Sequence, residues 1–239
     1  MKAFQLAEDW QTPVIVASDF HLSESMMTVE RDEIPFPGAI PSLFTVEPNG
    51  GDYKRYAYTE SGVSPRALPG QPGLQFKAGS DEHDERGHLI SDVLSGVPIW
   101  VAERTKMMDK RMRKLEGLRT AGPPPTLEGP ADASLTFVAW GSTVGAIRDA
   151  MPTLKAKGVT TNVVRIPQVF PLATTALVPL LTKAQRTLLV EANFTGQLGH
   201  LIRAETGVAL PNRFLKYDGE PFTPTEIAQR ALQEVSHGH

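Results

Sequence analysis

A run of acidic residues and histidines, GSDEHDERGH at 79–88, carries the side chains best suited to direct chemistry. Neighbouring carboxylates and imidazoles can bind a metal ion or exchange protons with a substrate. The candidates in this run are Glu82, His83 and His88. The same composition is also typical of a solvated surface loop. Three interpretations therefore stay open: a metal site, a solvated loop, or a loop that closes over a ligand or packs on a partner.

The spacing of the two histidines argues against the metal site. His83 and His88 are five residues apart, so on a helix they would point about 140° away from each other. In the zinc-protease motif H-E-x-x-H, the histidines are four residues apart and a glutamate follows the first. In this run the histidines are five apart, and an aspartate follows the first. Gly87 also disfavours a helix here.

Two further groups of polar residues follow predicted strands. Ser142 and Thr143 follow SLTFVAWG, while Glu191, Asn193, Thr195 and Gln197 lie at and after the end of TLLVEAN. In open parallel sheets, ligands and partners gather at the carboxyl ends of the strands. Ser142 or Thr195 would also cap the next helix, whose N-terminus favours anions. The alternative is that these residues are helix caps and nothing more.

Nucleotide and hydrolase motifs are missing around these junctions. GSTVGA lacks the Gly-Lys-Ser/Thr ending of a phosphate loop, and the chain has no G-x-G-x-x-G. It also has no G-x-S-x-G, so a serine nucleophile is unsupported.

Regular alternation of strand and helix patterns organises the C-terminal half. Strands are predicted near 134–140, 160–166, 187–192 and 213–217, each followed by a helical pattern. Four such units predict an α/β fold over 131–239, a doubly wound parallel sheet with helices on both faces.

The N-terminal half, 1–117, has fewer regular elements. AFQLAEDW indicates the end of a helix, and PVIVASD at 13–19 a buried strand. A long region rich in proline and glycine, roughly 26–99, shows no helical period. Because one buried strand needs neighbours on both edges, we expect this half to be the incomplete end of an α/β domain.

A long helix closes this half. One face of this helix carries a stripe of residues at spacings of four and three: Val101, Thr105, Met108, Met112 and Leu115. This stripe is mainly apolar, so we expect an apolar surface to cover it. Gly117 is a plausible stop. The basic face around Arg111 could bind phosphate or be a solvated face with Glu–Lys pairs. Residues 118–130, with four prolines, are predicted to be a linker.

Composition excludes several classes. Twenty-four basic against 27 acidic residues give a net charge of −3, which argues against a nucleic-acid partner. With no cysteine, the chain has no disulfide, thiol nucleophile or cysteine-ligated cluster. No apolar run reaches membrane-spanning length and no signal core is present, so no membrane association and a cytoplasmic location are expected.

Several segments, taken in order, resemble one family. AFQLAEDWQTPVIVASD, GSDEHDERGH and RTKMMDKRMRKLEG resemble the latter part of the pyrimidine-binding domain in alpha subunits of 2-oxoacid:ferredoxin oxidoreductases, best the 2-oxoglutarate type. WGST, VEANFTGQL and KYDGEPFTPTEI resemble that subunit's next domain, which is similar to the transketolase C-terminal domain. The resemblance covers nearly the whole chain.

This resemblance implies an enzyme complex that oxidises a 2-oxoacid with coenzyme A to acyl-CoA and carbon dioxide. Thiamine diphosphate and magnesium would act at the level of the complex, with iron–sulfur clusters on other subunits and none of these held by this chain alone. The implied partners are a beta subunit, the missing upstream alpha segment or a gamma subunit, and indirectly ferredoxin. GSDEHDERGH would then be a loop near the interface of subunits and cofactor.

The chain also departs from the family pattern. The Tyr-Pro-Ile-Thr-Pro segment and the glutamate that activates the cofactor, both expected upstream, are absent. The Gly-Asp-Gly diphosphate motif is also absent, and in this family it belongs to the beta subunit. We therefore expect a truncated or split alpha subunit that is inactive in isolation. The alternative is a catalytically silent assembly module that folds and docks but turns nothing over.

Overall fold

The structure, a computed structural model, describes residues 2–34, 51–76, 78–79, 81–90 and 98–236, without the side chains of 98 and 99. The predicted irregular region at 26–99 therefore lies partly outside the described residues. The chain divides into two compact units. The N-terminal unit contains Met1–Val16 and Val29–Ala121, and the C-terminal unit contains Ala17–Thr28 and Gly122–His239.

The elements follow one another in chain order. The α-helices in the described residues are α1 (Lys2–Trp10), α2 (Phe20–Glu24), α3 (Pro98–Ala121), α4 (Thr143–Ala156), α5 (Thr174–Thr182), α6 (Gln197–Thr206) and α7 (Pro224–Ser236). The strands are β1 (Thr126–Glu128), β2 (Leu135–Ala139), β3 (Thr161–Arg165), β4 (Thr187–Glu191) and β5 (Arg213–Leu215). The five strands found in the described residues all belong to the C-terminal unit.

These strands form one mixed sheet in the order β1-β3-β2-β4-β5. The predicted parallel core is confirmed, because β2 pairs in parallel with β3 and β4, and β4 with β5. The antiparallel edge strand β1 was not predicted, and it lies inside the stretch 118–130 that was interpreted as a linker. Pro125 and Pro130 stand outside β1, where a proline removes no ladder hydrogen bond.

Helices cover both faces of this sheet, as the alternation predicted. Side chains of α4 and α7, such as Ile147 and Ile227, pack in one buried cluster. Those of α5 and α6, such as Leu177 and Ile202, pack in the other. The fold is therefore α/β and doubly wound.

The predicted buried strand at 13–19 is wrong. These residues form no strand, and Ile15 and Val16 are 91% and 75% exposed. An apolar strand is stable only with ladder neighbours, and the described residues provide none at this place. Asp19 instead caps the short helix α2, its Oδ1 accepting a hydrogen bond from the Leu22 amide at 2.8 Å.

In the N-terminal unit, α1 packs against α3, and the predicted stop at Gly117 is wrong. Helix α3 continues through Gly117 to Ala121. A Cβ on Gly117 would lie 1.9 Å from the Trp10 ring, so this glycine makes room for the indole. A glycine in a helix can thus mark a close approach of two elements as well as an end.

Four of the five residues in the apolar stripe predicted on α3 are exposed, and the fifth, Leu115, is half-buried. Val101 and Met112 are 45% and 54% exposed. The face turned into the unit instead buries Met107, Leu118 and, unexpectedly, Lys110. The stripe therefore remains a surface that another element could cover, and the buried side of α3 is partly cationic.

Gly62 holds the loop before it against α3. It has φ +79°, and a Cβ there would lie 2.4 Å from the Lys110 carbonyl oxygen. We expect Gly62→Ala to lower the free energy of unfolding by about 2–4 kcal/mol, from left-handed strain plus overpacking. Gly70→Ala is the matched control, because Gly70 has φ +90° but no atom within 4 Å of the added Cβ. Thermal unfolding of both variants checks this: equal losses would show that the contact with α3 does not matter.

Candidate functional site

The carboxyl ends of β2 and β4 form the crevice where a doubly wound sheet holds its ligands. These two strands are neighbours at the centre of the sheet. The helices that follow them, α4 and α6, lie on opposite faces, which opens a gap between their N-termini. The structure therefore brings all the strand-end candidates to one edge: Ser142, Thr143, Glu191, Asn193, Thr195 and Gln197.

Glu191 is fully buried at this edge and caps α6. Its Oε1 accepts hydrogen bonds from the Leu198 amide at 2.8 Å and the Asn193 side chain at 2.7 Å. Its Oε2 accepts a longer one from the Gly199 amide, at 3.4 Å. A carboxylate at a helix N-terminus is stabilised by the free amides and by the helix dipole. This explains how a charge is tolerated at 0% exposure.

The residues after Glu191 divide into a structural and an exposed group. Asn193 Oδ1 accepts hydrogen bonds from the amides of Gly196 and Gln197, at 2.7 and 3.2 Å. The predicted cap by Thr195 is wrong, because Gly196 occupies the N-cap position with φ 70°. The side chains of Thr195 and Gln197 are exposed.

A second carboxylate occupies the N-terminus of α4. Asp19 Oδ2 accepts hydrogen bonds from the Ser142 hydroxyl and, at 3.4 Å, from the Ser142 amide. Partial burial raises the pKa of Asp19, but the bonds from Ser142 and Leu22 outweigh it and hold the pKa below its usual value. Ser142 does occupy the predicted N-cap position of α4, but its hydroxyl donates a hydrogen bond to Asp19 and makes no bond to the helix amides. Thr143 is buried.

Both helix N-termini at the crevice thus hold a carboxylate of the chain itself. Asp19 and Glu191 take the positions that a ligand's phosphate or carboxylate would take in a nucleotide-binding sheet. This edge is therefore poorly suited to bind an anion.

An exposed aromatic pair stands at the same edge and was not singled out in the sequence. The rings of Phe194 and Tyr217 meet edge to face with centroids 4.9 Å apart. They are 69% and 64% exposed. The sequence signal that could have found them is an aromatic residue at or just after the end of each predicted strand, at 217 and 194. Large exposed rings suit contact with an apolar surface of a partner or ligand.

The loop at 81–90 folds into a short hairpin within the N-terminal unit. His83 and Leu89 form a bridge, and the Asp84 carboxylate accepts hydrogen bonds from the amides of Arg86 and His88, both at 2.9 Å. Partial burial raises the pKa of Asp84, but these bonds, with the charge of His88, lower it overall. The turn is therefore held by its own residues.

Ion pairs tie the same hairpin to the rest of the unit. Glu82 contacts Arg111 on α3 at 2.6 Å and Arg104 at 3.9 Å. Glu85 pairs with Lys54 and Arg86 with Asp52. The loop is thus a fixed part of this unit, and most of its charges are used to hold it there.

The two histidines of the hairpin at 81–90 have different surroundings. His83 is only 8% exposed and stacks on Tyr56, with ring centroids 3.8 Å apart. His88 is open, its side chain 63% exposed. Within the described residues, no group of three or more histidine, aspartate and glutamate side chains is placed to hold a metal ion.

Comparison with known proteins agrees with the sequence resemblance. Residues 129–216 match the family model of the transketolase C-terminal domain. The alpha subunit of 2-oxoacid:ferredoxin oxidoreductase 2 from Aeropyrum pernix is 32% identical over 100% of this chain and 38% of that subunit. The chain is homologous to 2-oxoacid:ferredoxin oxidoreductase alpha subunits. The predicted resemblance is thereby confirmed.

A solved structure gives the same result. The 2-oxoglutarate:ferredoxin oxidoreductase from Magnetococcus marinus, which contains 2-oxoglutarate, coenzyme A and succinyl-CoA, matches with a TM-score of 0.82 and 33% identity. The match covers 97% of this chain and 39% of that one. A 2-oxoglutarate synthase subunit from Methanothermobacter marburgensis is 22% identical over 97% of this chain and 59% of its own length.

This chain spans about 38% of the Aeropyrum pernix oxidoreductase subunit. In the part that the structure describes, no helix is long and apolar enough to cross a bilayer. The diphosphate of thiamine diphosphate, the cofactor that the family implies, does not fit the crevice at the sheet edge. The carboxylates of Asp19 and Glu191 already lie at the helix N-termini there and would repel it.

Proposed function

We propose that this chain forms part of the alpha subunit of a 2-oxoacid:ferredoxin oxidoreductase, with 2-oxoglutarate as the substrate. In complex with a beta subunit and the remaining alpha or gamma segment, it supports the coenzyme A-dependent oxidative decarboxylation of the 2-oxoacid to acyl-CoA and carbon dioxide. Thiamine diphosphate and magnesium belong to the complex, and the iron–sulfur clusters that pass electrons to ferredoxin lie on other subunits.

The observation that supports this proposal is the match of 97% of this chain to part of the Magnetococcus marinus oxidoreductase, at a TM-score of 0.82. An exposed apolar stripe and an exposed aromatic pair also suit a subunit that packs against others. Met112 and Phe194 are 54% and 69% exposed, and burying the exposed part of such side chains stabilises an interface by about 1–2 kcal/mol each.

A second candidate function is that of an assembly module without catalytic groups of its own. The use of Glu191, Asn193 and Asp19 as structural hydrogen-bond partners favours it, because these side chains are not free to act on a substrate. In this case the chain would dock to its partners through the exposed apolar surfaces.

Co-purification with a tagged candidate beta subunit tests whether the chain associates with other subunits, which both candidate functions require. We expect the chain to elute with the beta subunit and the remaining alpha or gamma segment. Met112→Glu is expected to weaken the association at least about tenfold, because it places a charge in an apolar contact. Asp109→Glu, an exposed change on α3 that adds no charge, is the control. Elution of the chain alone under all conditions would contradict both functions.

A further inference from the structure

A small cavity in the N-terminal unit has four cationic side chains among its ten lining residues. It has a volume of about 150 Å³ and lies between α3, the loop at 55–64 and His83. The charged groups on its wall are Arg55, Lys110, Arg111 and Lys114. A cavity of about this volume can hold a molecule as large as benzene, so a tetrahedral oxyanion fits.

Three of these cations lack an anionic partner in the described part of the chain. The Lys110 ammonium donates to the Tyr56 carbonyl oxygen at 2.8 Å, and the Lys114 ammonium donates to that of Gln11 at 2.9 Å. The Arg55 guanidinium lies over the Tyr56 ring, 5.2 Å from its centroid. Each ammonium has three donors, so both lysines retain further donors for a ligand.

The fourth cation is neutralised from outside the cluster. Arg111 pairs with Glu82 at 2.6 Å, and this carboxylate forms no ion pair with Lys110 or Lys114 among the described residues. The hairpin at 81–90 therefore compensates one charge and leaves three. Three uncompensated cations around one small space repel one another, and an anion of charge −2 placed between them removes most of that repulsion.

The lysine at the centre of the cluster is buried. Lys110 is 5% exposed, an unusual position for an ammonium without a carboxylate. Burial, followed by the charges of Lys114, Arg55, Arg111 and Arg113, lowers its pKa to about 8. Burial, followed by the charges of Arg55 and Arg111, also lowers the pKa of Lys114. Such a group is costly to keep unless a ligand uses it.

We propose that this cavity binds the phosphate group of an anionic ligand through Arg55, Lys110 and Lys114. The phosphate is either free inorganic phosphate or the phosphate of a larger ester that extends from the open side of the cavity. The residues that line the cavity all belong to the N-terminal unit, and the proposal stands whether or not the chain has the function proposed above.

Titration calorimetry of the 239-residue chain at constant ionic strength tests the site. Inorganic phosphate and adenosine monophosphate are the two probes, in a buffer free of other oxyanions. If phosphate binds and the nucleotide does not, or if both bind equally well, the free ion is a sufficient ligand. If the nucleotide binds more tightly than phosphate, the ligand is a phosphate ester. Either result supports the site.

Matched variants connect binding to the cavity. Lys110→Met and Lys114→Met are each expected to weaken phosphate binding about tenfold or more, since each removes a charge-assisted hydrogen bond. Lys106→Met is the control, because Lys106 lies on the same helix but pairs with Glu103 at 2.7 Å and does not line the cavity. The unfolding midpoint gives a second readout of binding. Phosphate is expected to raise the midpoint of the parent and of Lys106→Met, but not that of Lys110→Met or Lys114→Met, both first confirmed to be folded. No binding at millimolar phosphate, or binding that all three variants retain equally, would overturn the proposal.

Discussion

Glu191→Ala is expected to lower the free energy of unfolding of the C-terminal unit by about 3–5 kcal/mol, a large part of the stability of a typical domain. The carboxylate is 0% exposed and accepts three hydrogen bonds, two of them from the first amides of α6. Its removal leaves buried donors without acceptors, and each such loss costs about 1–3 kcal/mol.

Hydrogen exchange gives the local measurement for this variant. We expect the amides of Leu198 and Gly199 to exchange faster in Glu191→Ala, because these are the donors that lose their acceptor. Glu191→Gln keeps an acceptor oxygen and should lose less stability. The control is Glu220→Gln, an exposed loop position where the change in stability should stay within about 0.5 kcal/mol. A loss in Glu191→Ala no larger than in the control would show that the cap does not stabilise the sheet edge.

Lys110→Met is expected to stabilise the chain by about 2–3 kcal/mol at pH 7 in phosphate-free buffer. The folded-state pKa of Lys110 is about 8, against the ordinary value of 10.5. Each unit of such a difference corresponds to about 1.4 kcal/mol, and the lost bond to the Tyr56 carbonyl takes back part of the gain.

The pH dependence gives this prediction its sign. Between pH 8 and 10.5 the unfolded chain binds more protons at this lysine than the folded chain, so the stability of the parent rises with pH. Below pH 8 both states are protonated and the full penalty for burying the charge remains. The advantage of Lys110→Met should therefore be largest at neutral pH and should shrink towards pH 10.5.

Chemical denaturation from pH 7 to 10.5 measures this difference. The groups that face Lys110 are Arg111, Arg113 and Lys114 on its own helix and Arg55 on the loop, and the parent and the variant share them. Lys106→Met is the control and should change stability by less than about 0.5 kcal/mol at every pH. An advantage of Lys110→Met that did not vary with pH, or a net loss at pH 7, would contradict the buried-charge account.

The C-terminal sheet was predictable because each strand and helix carries its own pattern. The runs at 135–139 and 187–191 are apolar on both faces, and both are buried central strands. The edge strand β1 was missed because three residues between prolines carry no period of their own. Its place is set by pairing with β3, which no local pattern shows.

The N-terminal unit was harder to predict because contacts distant in sequence decide it. PVIVASD has the composition of a strand, yet nothing in the described chain pairs with it. A glycine such as Gly117 often marks the end of a helix. Here it instead leaves room for the ring of Trp10, which is far away in sequence.

The candidate sites show the same limit. The sequence placed Glu191 and Ser142 correctly at the carboxyl ends of strands, but not that Glu191 would cap α6 or that Asp19 would bind Ser142. The basic face around Arg111 was open to two interpretations. The structure adds that Lys106 pairs with Glu103 at the surface, whereas Lys110 and Lys114 turn inward, a difference of direction that the sequence does not show.

Coenzyme A-dependent oxidation of 2-oxoglutarate by the assembled complex tests the central claim most directly. The complex is prepared from the candidate beta subunit and the remaining alpha or gamma segment, with and without this chain, and the reduction of ferredoxin is followed. If this chain is the alpha portion proposed here, oxidation requires the chain, the 2-oxoacid and coenzyme A together. Full activity in its absence, or none in the complete complex with any 2-oxoacid, would contradict the claim.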